Sequence, residues 1–290
     1  MLREVKREVY ISDNHAHINT VRGVGARRIA REFRREGGRL IVVVSLLTWS
    51  LDLPPCELSS FERLYRETVS AVRTVREEGV NAGCVLGVHP AEIEQMICKG
   101  WSREQILSFV EQCLNMVAEY VRRGEAQGIG EVGRPHWVVS ERSWEIHNDV
   151  LELALGYARD LDVPVHLHME RRGEQTLRDV IDLVRRIGNR PYRVVLHHAQ
   201  PEVAVSASER GITPSVPVGR RSEFVRALEL PPVYVVESDY LDDPRRPGAV
   251  IVPWALARKM REVAETKGVD YVNTVCLHNI RRCYGDLLSY

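Results

Sequence analysis

The chain reads as an α/β protein, a single (β/α)₈ barrel of the TIM type running over residues 1–290. Three observations predict this. Short β-branched runs alternate with amphipathic helical stretches along the whole chain. Eight such runs can be counted, the number that closes this barrel. Imidazoles and carboxylates gather at the C-terminal ends of the runs, the face on which barrel enzymes build their sites. A doubly wound open sheet shares the alternation, but the count and the strand-end residues favour the barrel.

In order, the predicted strands are 8–12, 40–45, 84–87, 127–129, 164–167, 193–196, 212–215 and 233–237. Helical periodicity fills 24–37, 59–79, 102–123, 141–161, 173–187, 201–209 and 219–228, and two further helices lie near 253–267 and 269–286. The irregular stretches 47–58, 134–140 and 242–252 all follow strands. In a barrel they fall on the C-terminal face. No repeat, linker or low-complexity segment interrupts the pattern.

Composition bounds the function. With 44% hydrophobic and 28% charged residues, the chain can bury a large core. A net charge of zero gives no bulk attraction to nucleic acid or membrane, so polyanion binding must come from local charge. The opening MLREVKREVYISD has no apolar core of signal-peptide length. No apolar run approaches the roughly 18 residues of a spanning helix. The expectation is a cytoplasmic protein with no membrane contact and no obligate protein partner. Cys56, Cys84, Cys98, Cys113, Cys276 and Cys283 form no C-x-x-C pair and read as reduced, buried thiols.

The chemistry sits at the strand ends. Asp13, His15 and His17 are two apart and share one strand face. Two neutral imidazoles on that face can share an ion, with Asp13 behind them as an orienting group. Glu131 ends the fourth run between glycines, where an unpaired acid is expensive. Its two oxygens can bridge two cations. His166 and His168 share a face of the fifth run, His168 nearer the C-terminal end. His197 and His198 end the sixth run and, on a regular strand, point to opposite faces. Asp239 closes the eighth. One of these histidines alone reads as a satisfied core residue. The set at successive strand ends reads as a metal centre.

At these residues the sequence resembles the TatD family of metal-dependent hydrolases, within the amidohydrolase-like barrels. Asp13 to His17 is similar to its D-x-H-x-H opening. Gly87 to Pro90 is similar to its G-x-H-P, Gly130 to Gly133 to its G-E-I-G, and Pro164 to His168 to its P-V-x-x-H. Leu196-His197, Glu237 to Asp239 and Asn279 to Tyr284 match its later motifs. The resemblance spans nearly the whole chain in order. It implies two divalent cations and DNase-type phosphodiester hydrolysis; the donor types suit Zn, or Mg/Mn. It places the fifth-strand ligand at His168.

The ligand set read from the chain is His15, His17, Glu131, His168, His197 and Asp239. His15, His17 and Asp239 would hold one ion, His168 and His197 the other, and Glu131 would bridge them. Asp239 and Glu131 carry the catalysis, with Asp239 taking the proton from water. His89 and Arg134 are the candidate substrate contacts, and DNA or another phosphodiester is the expected partner. Arg134, Arg171, Arg172, Arg220, Arg221, Arg245 and Arg246 follow strands and could ring the mouth for phosphate. Trp49, Trp137 and Tyr240 could stack on a base or cap the core. Three departures fall on the substrate side: Arg134-Pro135-His136-Trp137 follows the glutamate motif without the family's aspartate, Glu170 stands in place of its arginine, and His197-His198-Ala199 replaces its H-x-F. The rivals are an amide or lactone hydrolase on the same ions and a barrel that only binds. The first rival often uses a lysine bridge, and Lys6, Lys99, Lys259 and Lys267 lie away from every strand end.

Overall fold

Alternation decides how each strand is buried. In β2 (Gly38–Val44), Leu40, Val42 and Val44 face the barrel lumen. Ile41 and Val43 face the outer helices. Both faces are buried, as an all-parallel sheet requires. Each such side chain contributes about 1.5–3 kcal/mol by leaving water. The computed structural model describes residues 8–245 and 251–290, except the side chains of residues 221 and 222.

The other strands are β1 (Ile11–His17), β3 (Asn81–Leu86), β4 (Gly128–Gly133), β5 (Val165–His168), β6 (Val194–Leu196), β7 (Thr213–Pro217), β8 (Val235–Glu237) and β9 (Tyr240–Leu241). All neighbours are parallel, in the order β8-β7-β6-β5-β4-β3-β2-β1-β9. The (β/α)₈ prediction holds, and β9 shows how the ring closes. β8 pairs with β7. Two residues later the same segment pairs with β1, Ala16 opposite Tyr240 and His17 opposite Leu241. The backbone N–H of Asp239 donates to His15 O at 2.9 Å across this seam.

The helices are α1 (Ala26–Arg35), α2 (Leu58–Glu77), α3 (Pro90–Cys98), α4 (Arg103–Arg122), α5 (Glu141–Leu161), α6 (Glu174–Ile187), α7 (Pro201–Glu209), α8 (Arg221–Ala227), α9 (Pro253–Lys267), α10 (Val269–Asn273) and α11 (Asn279–Tyr284). Their apolar stripes meet the outer strand faces. Ser102 and Gln105 make a reciprocal capping box that starts α4. Ile280, Cys283, Tyr284 and Leu288 join the lumen side chains and close the barrel floor.

Several sequence-based boundaries shift. β1 runs through His17 instead of stopping at residue 12, because one oxygen of the buried Asp13 finds backbone partners inside: its Oδ1 accepts the N–H groups of His15 and Ser238 at 3.2 and 2.8 Å, while Oδ2 has no hydrogen-bond partner among the described residues. β4 extends to Gly133, where φ is +140° and an added Cβ would lie 2.1 Å from His168 O. Only glycine lets the two backbones approach so closely. α3 was not anticipated. Pro90 begins it and His89 caps it, its Nδ1 accepting from Ala91 N at 3.0 Å. The stretch 269–286 divides into α10, a π-helical turn (Thr274–His278) and α11. Five cysteines are buried as expected, whereas Cys98 is exposed.

Glu92 of α3 is buried against Thr48, accepting its N–H at 2.6 Å and its hydroxyl at 3.2 Å. Burial pushes its pKa up to about 7. A carboxyl that holds its proton more tightly when folded adds stability as pH falls through about 7 towards the unfolded value. That contribution is lost above it. Glu92→Gln keeps the shape without the charge. It is expected to raise stability at pH 8 by on the order of 2 kcal/mol and to matter little at pH 5. Urea unfolding at the two pH values checks this, and an equal effect at both would refute it.

Candidate metal centre

β1 delivers two imidazoles to one face. His17 Nδ1–H donates to Val44 O at 3.0 Å, which leaves its Nε2 bare. His15 Nδ1 lies 3.0 Å from His166 Nδ1, and His166 Nε2 lies 2.5 Å from the Tyr284 hydroxyl. The proton order that frees His15 Nε2 runs from His15 Nδ1–H to His166 and from His166 Nε2–H to Tyr284; it is assigned from the network. The Nε2 atoms of His15 and His17 then face each other 3.2 Å apart. Glu131 Oε2 lies 3.5 and 3.3 Å from them. Three electron-rich atoms so close repel unless a proton or a metal cation lies among them. The mixed imidazole and carboxylate donors fit a divalent metal.

The other oxygen of Glu131 has its own pair. Oε1 lies 3.0 Å from His168 Nδ1 and 3.3 Å from His197 Nε2. One carboxylate thus stands between two pairs of imidazoles. Burial opposes its ionisation, but His15 and His197 outweigh burial and hold it well below the usual carboxylate range. Burial in turn drives His15 and His197 down, whereas at His17 the Glu131 carboxylate outweighs burial and raises the imidazole's pKa.

Glu237 sets the sixth-strand imidazole. It accepts from His197 Nδ1 at 2.8 Å, Ser215 Oγ at 2.5 Å and His198 N at 3.0 Å. This fixes the His197 tautomer with Nε2 free for a metal. Asp239 has φ +50°. Its Oδ2 lies 2.6 Å from His198 Nε2, and its Oδ1 3.8 Å from His197 Nε2. Burial works against its charge, and the His198 imidazole overrides burial and lowers its pKa. The mutually close groups that could hold a metal are His15–His17–Glu131, His89–Glu131–His168, His197–His198–Asp239 and His15–His197–Glu237. All six sequence-read ligands therefore converge. Asp239, however, groups with His197 and His198, not with the β1 pair.

Other expectations need correction. His197 and His198 do not point to opposite faces: their rings lie 3.7 Å apart, centroid to centroid. β6 has ended at Leu196, and His198 adopts φ +55°, so the strand's two-residue alternation no longer applies. Asp13 holds backbone, not an imidazole ring; burial lifts its carboxyl to about 7. His89 enters the cup, its ring 4.6 Å from His168, with burial pushing its pKa down to about 3.

Arg134 is not available to substrate. Its Nε and Nη2 meet both oxygens of Glu170 at 2.9 and 2.5 Å, with both side chains buried, and its guanidinium stacks on Trp144. The ring of free guanidinium groups is likewise mostly spent. Arg171 and Arg220 pair with Glu223, and Arg245 pairs with Asp243 and Asp52. Arg246 and the side chain of Arg221 lie outside the described residues. Tyr240 packs on Trp254 and Trp49 is half-buried, whereas Trp137 is exposed.

Sequence reasoning gave no role at the centre to His136, His166 and Tyr284, nor to Glu237 and His198. His136 Nδ1 lies 2.7 Å from His168 Nε2. The pair His166 and Tyr284 backs His15 from the barrel floor. The spacing of His166 and His168 placed both on one face, but nothing local points from residue 166 to residue 284.

Comparison with known proteins agrees with this geometry. The family model described as TatD related DNase matches residues 12–285. A protein of Methanocaldococcus jannaschii, uncharacterized protein MJ1127, is 30% identical over 97% of this chain and 98% of its own length. Among solved structures, the TatD homologue YJJV of Escherichia coli superposes with a TM-score of 0.67 at 17% identity, covering 94% of this chain and 97% of that one. A phosphotriesterase homology protein of Escherichia coli, complexed with phosphate in its active site, superposes with a TM-score of 0.63 at 11% identity, covering 96% and 99%. At such identities these structures speak for the fold alone. Strand-end ligands in the right order, a closed parallel barrel that gathers them and a family match over nearly the full length lead to one assignment: the chain belongs to the TatD-related family of metal-dependent hydrolases.

Proposed function

We propose that this protein is a phosphodiesterase, a deoxyribonuclease in the first instance, working with two divalent ions. The observation that carries the reading is the divided carboxylate of Glu131, each oxygen flanked by two imidazoles. His15 and His17 would hold one ion and His168 and His197 the other, with Glu131 between; Asp239 would complete one of the two sets. When bound, such a pair supplies charge to the phosphoryl oxygens and lowers the pKa of an attacking water. Asp239, kept ionised beside His198, takes the proton from that water and returns it to the leaving oxygen. Glu237 holds the His197 ring still throughout. Among the described residues no helix is long and apolar enough to cross a membrane, and we place the enzyme in the cytoplasm.

The test is hydrolysis of single- and double-stranded DNA, a lactone and an amide, by protein stripped with chelator and reloaded with Zn, Mn or Mg. DNA cleavage that vanishes on stripping, returns on reloading and drops at least about a hundredfold in kcat in Asp239→Asn supports the proposal. Lactone or amide turnover with intact DNA would replace it with the amidohydrolase reading. Protein that takes up no metal would leave only a binding barrel.

A further inference from the structure

An imidazole has two ring nitrogens, and one ion uses only one of them. Whatever holds the other nitrogen decides the tautomer and the aim of the ring. Three of the four imidazoles around Glu131 are tied by groups inside the barrel: His17 by Val44 O, His15 by His166 with Tyr284 behind it, and His197 by Glu237. Val44, His166, Tyr284 and Glu237 are each at most 1% exposed. His168 is tied differently. Its Nδ1 faces Glu131 Oε1 at 3.0 Å, and its Nε2 lies 2.7 Å from His136 Nδ1. His136 is exposed, on the stretch that links β4 to α5. This stretch departs from the family pattern, and the buried pair of Arg134 and Glu170 pins its start. The fold therefore brings His136 to His168 without help from the contact itself.

Resting on the two-ion reading, we infer that His136 is the positioning residue of the second ion: it accepts the Nε2–H of His168, keeps His168 Nδ1 bare, and so sets how tightly the His168–His197 position holds metal. The argument is a choice between tautomers. A neutral His168 carries one proton. On Nδ1 that proton has Glu131 Oε1 as acceptor, and the nitrogen facing the cup is then blocked. On Nε2 it has His136 Nδ1 as acceptor, and Nδ1 is free to ligate. Removing His136 leaves only the blocking tautomer with an acceptor at hydrogen-bond distance among the described residues. The two positions of the cup are therefore unequal. His15 and His17 are aimed by buried groups, whereas His168 is aimed by an exposed side chain at the mouth. The ion at His168 and His197 is the one lost first.

The experiment titrates full-length, chelator-stripped protein with Zn against a chromophoric chelator and counts bound ions by native mass spectrometry. Wild type should take up two ions of unequal affinity. His136→Ala should weaken one of them about 10–100-fold and leave the other within about twofold. His136→Asn, whose Oδ1 can still accept from His168 Nε2–H, should recover most of the loss. Metal-free His136→Ala should unfold within about 2 °C of wild type, because an exposed side chain carries little of the stability. Wild-type affinity for both ions in His136→Ala would overturn the inference. Equal weakening of both ions would overturn it too, and so would His136→Asn no better than His136→Ala. Wild type that takes up a single ion, still weakened in His136→Ala, would instead overturn the two-ion reading and leave the role of His136 standing. Wild type that takes up none would overturn both.

Discussion

Glu131→Gln is expected to abolish tight binding of at least one ion and to lower turnover by on the order of 10³-fold. The side chain is buried, and its two oxygens serve two separate pairs of imidazoles. The amide has the same shape but only one acceptor oxygen and no charge. It also turns an N–H₂ group towards one pair of bare nitrogens, the place where a cation would sit. Losing several kcal/mol of charge stabilisation at the reacting phosphate corresponds to this rate loss. Metal content by mass spectrometry and single-turnover hydrolysis check the two halves separately. A variant that retains two ions per chain and near-normal turnover would show that Glu131 does not stand between cations.

The second large effect is on stability. Arg134→Met leaves Glu170 ionised and buried, with only the Thr176 hydroxyl at 3.0 Å still donating to its side chain. Removing one partner of a buried pair costs about 3–5 kcal/mol. For a chain of this size that corresponds to a fall in Tm of roughly 5–8 °C. Replacing both residues with methionine should bring stability back to within about 1 kcal/mol of wild type, because no charge is then stranded. Thermal unfolding of the two single variants and the double variant completes the cycle. If the double variant is no more stable than Arg134→Met, the pair is not what holds this wall of the barrel mouth. A variant as stable as wild type but with a raised KM would return Arg134 to the role of substrate contact.

The parts of the centre legible in the sequence were those governed by local geometry. His15 and His17 share a face because a strand repeats every two residues, and Glu131 stood out because an acid among glycines at an apolar strand end needs a partner. The same rule failed at His198, where the strand had stopped and φ had changed sign. Arg134 followed a strand and carried charge, so it read as a substrate contact. Its true partner, Glu170, lies one strand over, and position along the chain does not say which of two neighbouring ends are tied together. His166 and Tyr284 were beyond reach for a related reason: they meet across the barrel floor, through packing that no local pattern encodes. The eight-strand alternation gave the ring, but not the way its last joint is made.

That joint has a thermodynamic meaning. The segment from Val235 to Leu241 changes neighbours halfway, leaving β7 for β1, and Asp239 sits at the jog. The hoop is therefore latched by the same few residues that finish the cup of imidazoles and carboxylates. An ion held only by the latched form adds RT ln(1 + [L]/Kd) to its stability, about 4 kcal/mol at a thousandfold excess over Kd. Loading the cup and fastening the hoop are then a single equilibrium, and damage to either is felt by both.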